Sequence, residues 1–95
     1  MVIQIVKFKS GLSDTEVERV MKEREPRFRA LPGLLQKYYG REKETGEFAG
    51  IYLWDSEESI REFRETELAK TIPAAYEAAS TPRIELFDVF SQLRD

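Results

Sequence analysis

Four aromatic side chains and one arginine are the residues of this sequence best placed to do chemistry. Tyr38, Tyr52, Trp54 and Phe48 fall on two neighbouring strand-like runs, beside Gly40 and Gly50. Large aromatic walls with a few polar tips are what a pocket for a flat, apolar molecule requires. Two glycines facing each other in mid-sheet remove side chains and leave room for a ligand. The same group also suits plain core packing, the ordinary fate of an aromatic cluster. Arg24 lies near the centre of an apolar stripe, Val17, Val20, Met21, Phe28 and Leu31, read at about 100° per residue along a helix. There it either runs its stem to the surface and leaves its guanidinium in water, or points between helix and sheet and binds a substrate oxygen through its planar donors. Phe63 and Ile60 face inward from a second helix. Glu67, next on that stripe, is a partner for Arg24, a base, or a residue on a solvated turn.

The elements that must hold these residues follow from patterning and capping. Val2 to Phe8 is a β-branched run closed by Ser10-Gly11 and reads as a mostly buried strand. Ser13-Asp14-Thr15-Glu16 forms a capping box, with Leu12 and Val17 placed as a hydrophobic staple, and opens a helix to about Ala30 that contains Pro26. Leu31-Pro32-Gly33 ends it. Leu34 to Lys43 and Glu47 to Asp55 are strand-like, joined by Glu44-Thr45-Gly46 as a three-residue hairpin loop. Asp55 and Glu58 form a second capping box for a helix to about Lys70, Pro73 to Ala79 is a turn or helical extension, and Arg83 to Ser91 is the last strand. The order βαββαβ over residues 1–95 predicts one α+β domain: a ferredoxin-like, four-stranded antiparallel sheet with both helices on one face.

A three-residue loop sets Lys43 opposite Glu47, so Tyr38 faces Tyr52, Gln36 faces Trp54 and Gly40 faces Gly50. One sheet face then carries Gln36, Tyr38, Gly40, Phe48, Gly50, Tyr52 and Trp54, and the other Leu35, Lys37, Tyr39, Ala49, Ile51 and Leu53. Both faces are apolar, and two helices cover only one. The expected cover for the other is the same face of a second subunit, in a closed symmetric homodimer. A chain of 95 residues buries only roughly 60 to 65% of its unfolded surface, so a partner subunit would also help stability.

Missing residue types narrow the chemistry. The sequence has neither Cys nor His. That removes disulfides, tetrahedral zinc, histidine- or thiolate-held haem, a thiol nucleophile and a Ser-His-Asp triad. A net charge of −3 argues against nucleic acid and anionic membrane as partners. No apolar run approaches the ~20 residues of a membrane span, and the first strand is too short and too charged for a signal peptide. The expectation is a cytoplasmic protein using no metal and no cofactor. A third reading, the RNA-recognition topology with Glu47-Phe48-Ala49-Gly50-Ile51 as an aromatic strand motif, fails because the basic-Gly pair is missing and Gly50 replaces a stacking aromatic.

The stretch Phe48-Ala49-Gly50-Ile51-Tyr52-Leu53-Trp54-Asp55-Ser56-Glu57-Glu58-Ser59 is similar to the antibiotic biosynthesis monooxygenase superfamily of dimeric α+β barrels. Its Gly-Ile-Tyr-Leu centre resembles the YdhR-like branch, and Leu31-Pro32-Gly33-Leu34 resembles the turn between first helix and second strand. The resemblance implies a face-to-face dimer, a pocket between helices and sheet and, in several members, cofactor-free oxidation of an aromatic polyketide. It makes Trp54 the pocket tryptophan. Haem degradation is not implied: the pocket Asn of haem-degrading members falls near Ile5 or Val6, and their His is absent.

Cofactor-free oxygenation needs a substrate that donates an electron to dioxygen once deprotonated, with water excluded and the anion stabilised. The roles expected are proton transfer by Tyr38 and Tyr52, packing on the substrate ring by Trp54 and anion binding by Arg24, with Gln36, Phe48 and Phe63 completing the pocket. The alternative is a non-catalytic dimeric barrel that binds a small apolar ligand or only assembles with itself.

Overall fold

A computed structural model describes residues 1–95 and orders them as β1 (Val2–Phe8), α1 (Asp14–Arg29), β2 (Leu34–Arg41), β3 (Phe48–Trp54), α2 (Glu57–Arg64), α3 (Glu67–Lys70), α4 (Ile72–Ala75) and β4 (Arg83–Asp88). The strands form one sheet in the order β2-β3-β1-β4, with all neighbours antiparallel. This is the ferredoxin-like α+β fold, with the helices on one face.

Local chemistry sets the boundaries. The Ser13 box is complete: Glu16 N–H donates to Ser13 Oγ and Ser13 N–H to Glu16 Oε1. The second helix starts one residue later than expected. Ser56, not Asp55, accepts from Ser59 N–H at 3.2 Å, while the Asp55 carboxylate accepts from the Ser56 and Ser59 hydroxyls. Those two hydroxyls hold the Asp55 carboxyl below its usual range. That helix also stops at Arg64, because Thr66 takes an extended conformation and its hydroxyl caps a new turn at Ala69 N–H. The stretch expected as one helix to Lys70 is therefore α2 followed by the short α3, and the Pro73 segment is α4. The last strand ends at Asp88 rather than Ser91.

The hairpin register differs from expectation by one residue. Glu42 pairs with Glu47, its carbonyl accepts from Gly46 N–H at 2.9 Å, and its carboxylate accepts from Glu44 and Thr45 N–H. These bonds close a four-residue loop, Lys43 to Gly46, with Gly46 at φ +76°. Tyr38 consequently faces Ile51, Tyr39 faces Gly50 and Gly40 faces Ala49, and a bulge between Leu34 and Gln36 absorbs the offset. Every β2 side chain from Gln36 to Arg41 changes faces relative to the sequence-based assignment. Lys37, Tyr39 and Arg41 join Phe48, Gly50, Tyr52 and Trp54 beneath the helices, and Gln36, Tyr38 and Gly40 join the open face.

The core lies between the sheet and the helices. Val2, Val6, Phe8, Tyr52 and Trp54 pack there against Val17, Val20, Phe28, Ile60 and Phe63. The opposite sheet face carries Ile3, Ile5, Ile51 and Leu53 with exposed Tyr38 and Phe87, and no element of the chain covers it. No helix is long and apolar enough to cross a membrane.

Candidate functional site

Five elements, with Tyr76 just beyond the last of them, converge on a cavity of about 160 Å³ between the sheet and α1. Val6, Phe8 and Phe48 floor it, Val17, Met21 and Phe28 cover it, and Ile72 and Tyr76 close one end. The remaining wall carries Lys37, Tyr39 and Tyr52. An apolar cavity of about 150 Å³ holds one benzene ring, so this space matches a single aromatic ring. A surface groove of about 550 Å³, bordered by Glu18 and Glu25, shares Met21, Phe28, Lys37 and Tyr39 with the cavity, so these four form the partition between the two spaces.

The polar groups of the lining are unusual for their surroundings. Lys37 Nζ lies 3.5 Å from the centroid of the Phe28 ring, 4.3 Å from that of Tyr39 and 4.5 Å from that of Tyr52. Burial, aided by the nearby Arg24 cation, pushes its pKa down to about 7. Burial acts oppositely on phenols: Tyr76 is pushed up to about 12, and Tyr39 and Tyr52 are also raised. Near neutrality the tyrosines thus remain hydrogen-bond donors, while Lys37 is the group able to change charge. Gly50 makes this arrangement feasible. A Cβ at that position would stand 2.9 Å from Tyr52 Cε1 and 3.4 Å from Lys37 Cε.

The residues singled out from the sequence are divided by the fold. Tyr52 and Phe48 line the cavity. Trp54 does not: it is fully buried behind Tyr52, stacked on it with centroids 5.9 Å apart, and its indole N–H donates to Gln4 Oε1 at 2.9 Å. Phe63 packs on Trp54 at 5.2 Å and belongs to the same solid region. Tyr38 and Gln36 lie on the open sheet face, away from the cavity, as the corrected register requires. Gly40 and Gly50 do not face each other.

Arg24 adopts neither arrangement expected for it. It is buried, yet its guanidinium reaches across to α3, where Nη2 donates to Leu68 O at 2.7 Å and to Thr71 Oγ1 at 3.2 Å. Its Nε is the one buried side-chain polar atom without a partner. Glu67 is exposed and does not pair with it. Arg24 therefore ties α1 to the segment that carries Ile72 and Tyr76. Lys37, Tyr39 and Tyr76 escaped sequence reasoning. The available signal for Lys37 was a lysine in mid-strand beside Tyr38 and Tyr39.

The fold is thus a ferredoxin-like α+β sheet with a ring-sized, aromatic-lined cavity beneath its helices. The chain belongs to the family described as "Putative mono-oxygenase ydhR", whose model matches residues 2–94. No curated protein matches the sequence. Among solved structures it is similar to SnoaB, a cofactor-independent oxygenase from Streptomyces nogalater, at 20% identity and TM-score 0.76, covering 99% of this chain and 97% of that one. It is similar to a putative antibiotic biosynthesis monooxygenase from Caulobacter crescentus at 23% identity and TM-score 0.77, covering 95% and 90%. Rv0793 from Mycobacterium tuberculosis matches at 12% identity and TM-score 0.76, covering 98% of each chain. At these identities the likeness is one of fold. Membership gives monooxygenase as the family-level activity and leaves the substrate open.

Proposed function

We propose that this protein is a cofactor-independent monooxygenase acting on a small aromatic substrate, and that it works in the cytoplasm as a homodimer joined through its open sheet faces. The observation that carries the reading is the cavity itself: one ring in size, apolar in most of its lining and edged by phenols that burial keeps protonated. In such a site a deprotonated phenol is shielded from water, and Tyr52 and Tyr76 donate hydrogen bonds to charge that builds on oxygen. The substrate anion reduces dioxygen and forms a carbon–oxygen bond, giving a ring hydroperoxide. Loss of water, with one oxygen atom and two hydrogens, leaves a quinone; the sum is phenol plus dioxygen to quinone plus water.

This assignment reduces the expected roles of Tyr38 and Trp54. The former is on the wrong face, and the latter supports Tyr52 rather than touching the ring. Support for the dimer comes from the uncovered Ile3, Ile5, Ile51 and Leu53, with Tyr38 62% and Phe87 49% exposed around them. Leu53→Lys is expected to convert a dimer to monomer, or to unfold it, in sedimentation at micromolar concentration; a wild-type chain that sediments as a stable monomer removes the dimer. The acidic balance, −3, suits a small molecule rather than nucleic acid or a membrane surface as ligand.

Oxygen uptake by chelator-treated protein, with isotopically labelled dioxygen and a panel of one- and two-ring phenols, tests the activity. The expected result is one labelled oxygen atom per product molecule. Binding of the phenols without oxygen uptake would instead identify a non-catalytic ligand-binding barrel.

A further inference from the structure

We propose that Lys37 is the proton acceptor of this cavity, so that the site takes an acidic phenol or enol of a single ring and holds it as an anion paired with the Lys37 ammonium. This rests on an aromatic ring occupying the cavity, as proposed above, but not on any reaction with dioxygen.

The geometry carries the assignment. Lys37 stands on the wall of the cavity with its amine against three rings, Phe28, Tyr39 and Tyr52, the nearest centroid at 3.5 Å. Lys7, Lys22 and Lys70 each pair with a carboxylate, and the unpaired Lys9 and Lys43 are exposed, whereas Lys37 is half-buried and pairs with none. A lysine serving only to cover the core would leave its ammonium in water. Here the stem passes the space left by Gly50 and the amine is turned onto three aromatic rings at the partition between cavity and groove. The charged and titratable groups around it are Glu18, Lys22, Arg24, Glu25 and Arg29 from α1, Tyr39 and Arg41 from its own strand, Tyr52 from β3 and Tyr76 beyond α4. Arg24 opposes a second positive charge, the carboxylates of Glu18 and Glu25 are already paired with Lys22 and Arg29, and the buried Tyr52 and Tyr76 stay neutral, so a new anion is the missing partner.

The same surroundings select the form in which the ligand arrives. A carboxylate would have to shed its hydration before entering a lining that is mostly hydrocarbon. A neutral phenol avoids that cost on entry. Its O–H bond then breaks, the proton forms an N–H bond at Nζ, and no electron changes hands. Ammonium and phenolate attract strongly in this low-dielectric space, and the aromatic faces that met a neutral amine now meet a cation. Because an amine titrating near neutrality is a weak base for an ordinary phenol, the transfer favours phenols or enols acidified by a conjugated carbonyl or nitro group.

The test uses para-nitrophenol under nitrogen, since its ionised form absorbs visible light and its neutral form does not. About one pH unit below the probe's own pKa, where roughly a tenth of it is ionised in water, wild-type protein is expected to raise the ionised fraction of bound probe several-fold. Lys37→Met, which keeps an apolar stem of similar length, is expected to abolish that band and weaken the phenol about tenfold, while nitrobenzene binds both proteins alike. Bound probe that stays neutral in wild type, or a band that survives in Lys37→Met, overturns the proposal. Should that variant fail to fold, competitive amine acetylation of wild type read by mass spectrometry decides. Lys37 is expected to titrate near neutrality and to be protected by the probe; an ordinary lysine titration or absence of protection overturns it. Ionised probe with no oxygen uptake from any phenol would leave this assignment standing and remove the oxygenase reading. Nitrobenzene binding without phenol ionisation would do the reverse to Lys37 alone.

Discussion

Along β3 one sheet face passes from solid to hollow within seven residues. At the Trp54 end the strand is covered by α2: Trp54, Tyr52 and Phe63 pack ring against ring with centroids 5.2 to 5.9 Å apart, and Gln4 satisfies the indole N–H. At the Phe48 end Gly50 contributes no side chain, α2 does not reach, and α1 with the short α4 roofs a cavity instead. Both ends are aromatic, so aromatic content alone does not mark a pocket. The difference lies in polar pairing. The solid end matches its donor to an acceptor inside the chain, whereas the hollow end holds an amine with no anion beside it.

The sharpest way to separate the two ends is to remove a large side chain from each. Trp54→Ala is expected to cost about 3 to 5 kcal/mol in urea unfolding, as for other deleted core tryptophans, while protein that remains folded still binds a ring in the cavity. If the loss falls on binding with stability unchanged, the solid end is part of the site. A smaller effect is expected from Arg24→Met, which removes two hydrogen bonds from a charged donor to Leu68 and Thr71: about 1 to 3 kcal/mol by thermal or urea unfolding. Ligand affinity should also fall, because α3 and the segment bearing Tyr76 loosen, although Arg24 itself does not line the cavity. Unchanged stability would show that the guanidinium does not hold that segment.

The smallest effect, taken per pH unit, is a pH dependence. Lys37 has its folded pKa lowered to about 7 from 10.5, so between these values the unfolded chain binds more protons than the folded one. Stability should therefore rise with pH across that window, by at most about 1.4 kcal/mol per unit, and level off at its lower value below about pH 7. Tyr52 and Tyr76 have the opposite sign. Their raised pKa values keep protons on the folded chain that the unfolded chain loses, so stability should decline above about pH 10. Lys37→Met is expected to be flat where wild type rises and to keep the alkaline decline. A rise of equal slope in both proteins would show that another group causes it.

Much of the fold was legible because its signals are local. The Ser13 box, the β-branched first strand and the Pro32-Gly33 turn each act within a few residues, and the order of elements follows from them. The second cap slipped by one because Asp55 and Ser56 are both good capping residues; Ser56 accepts the Ser59 N–H, and the Asp55 carboxylate accepts the Ser56 and Ser59 hydroxyls instead. The site was hardly legible, since it depends on register. One more residue in the hairpin loop, set by where the Glu42 carboxylate finds its N–H partners, moves Tyr38 and Gln36 out of the site and brings Lys37 and Tyr39 in. Tyr76 lies on a segment whose position depends on the Arg24 tether, a contact between residues more than forty apart in sequence. The resemblance drawn from Phe48 to Ser59 identified the family correctly, although the tryptophan that carried it packs behind the cavity wall.

Nuclear magnetic resonance mapping of wild-type protein with saturating para-nitrophenol tests the division between solid and hollow ends most directly. The expected result is large shifts at Val6, Val17, Met21 and Ile72 around the cavity, with the Trp54 indole N–H, held by Gln4, nearly unmoved. A large shift of that indole signal with Val17, Met21 and Ile72 unmoved would contradict the account and return the site to the tryptophan.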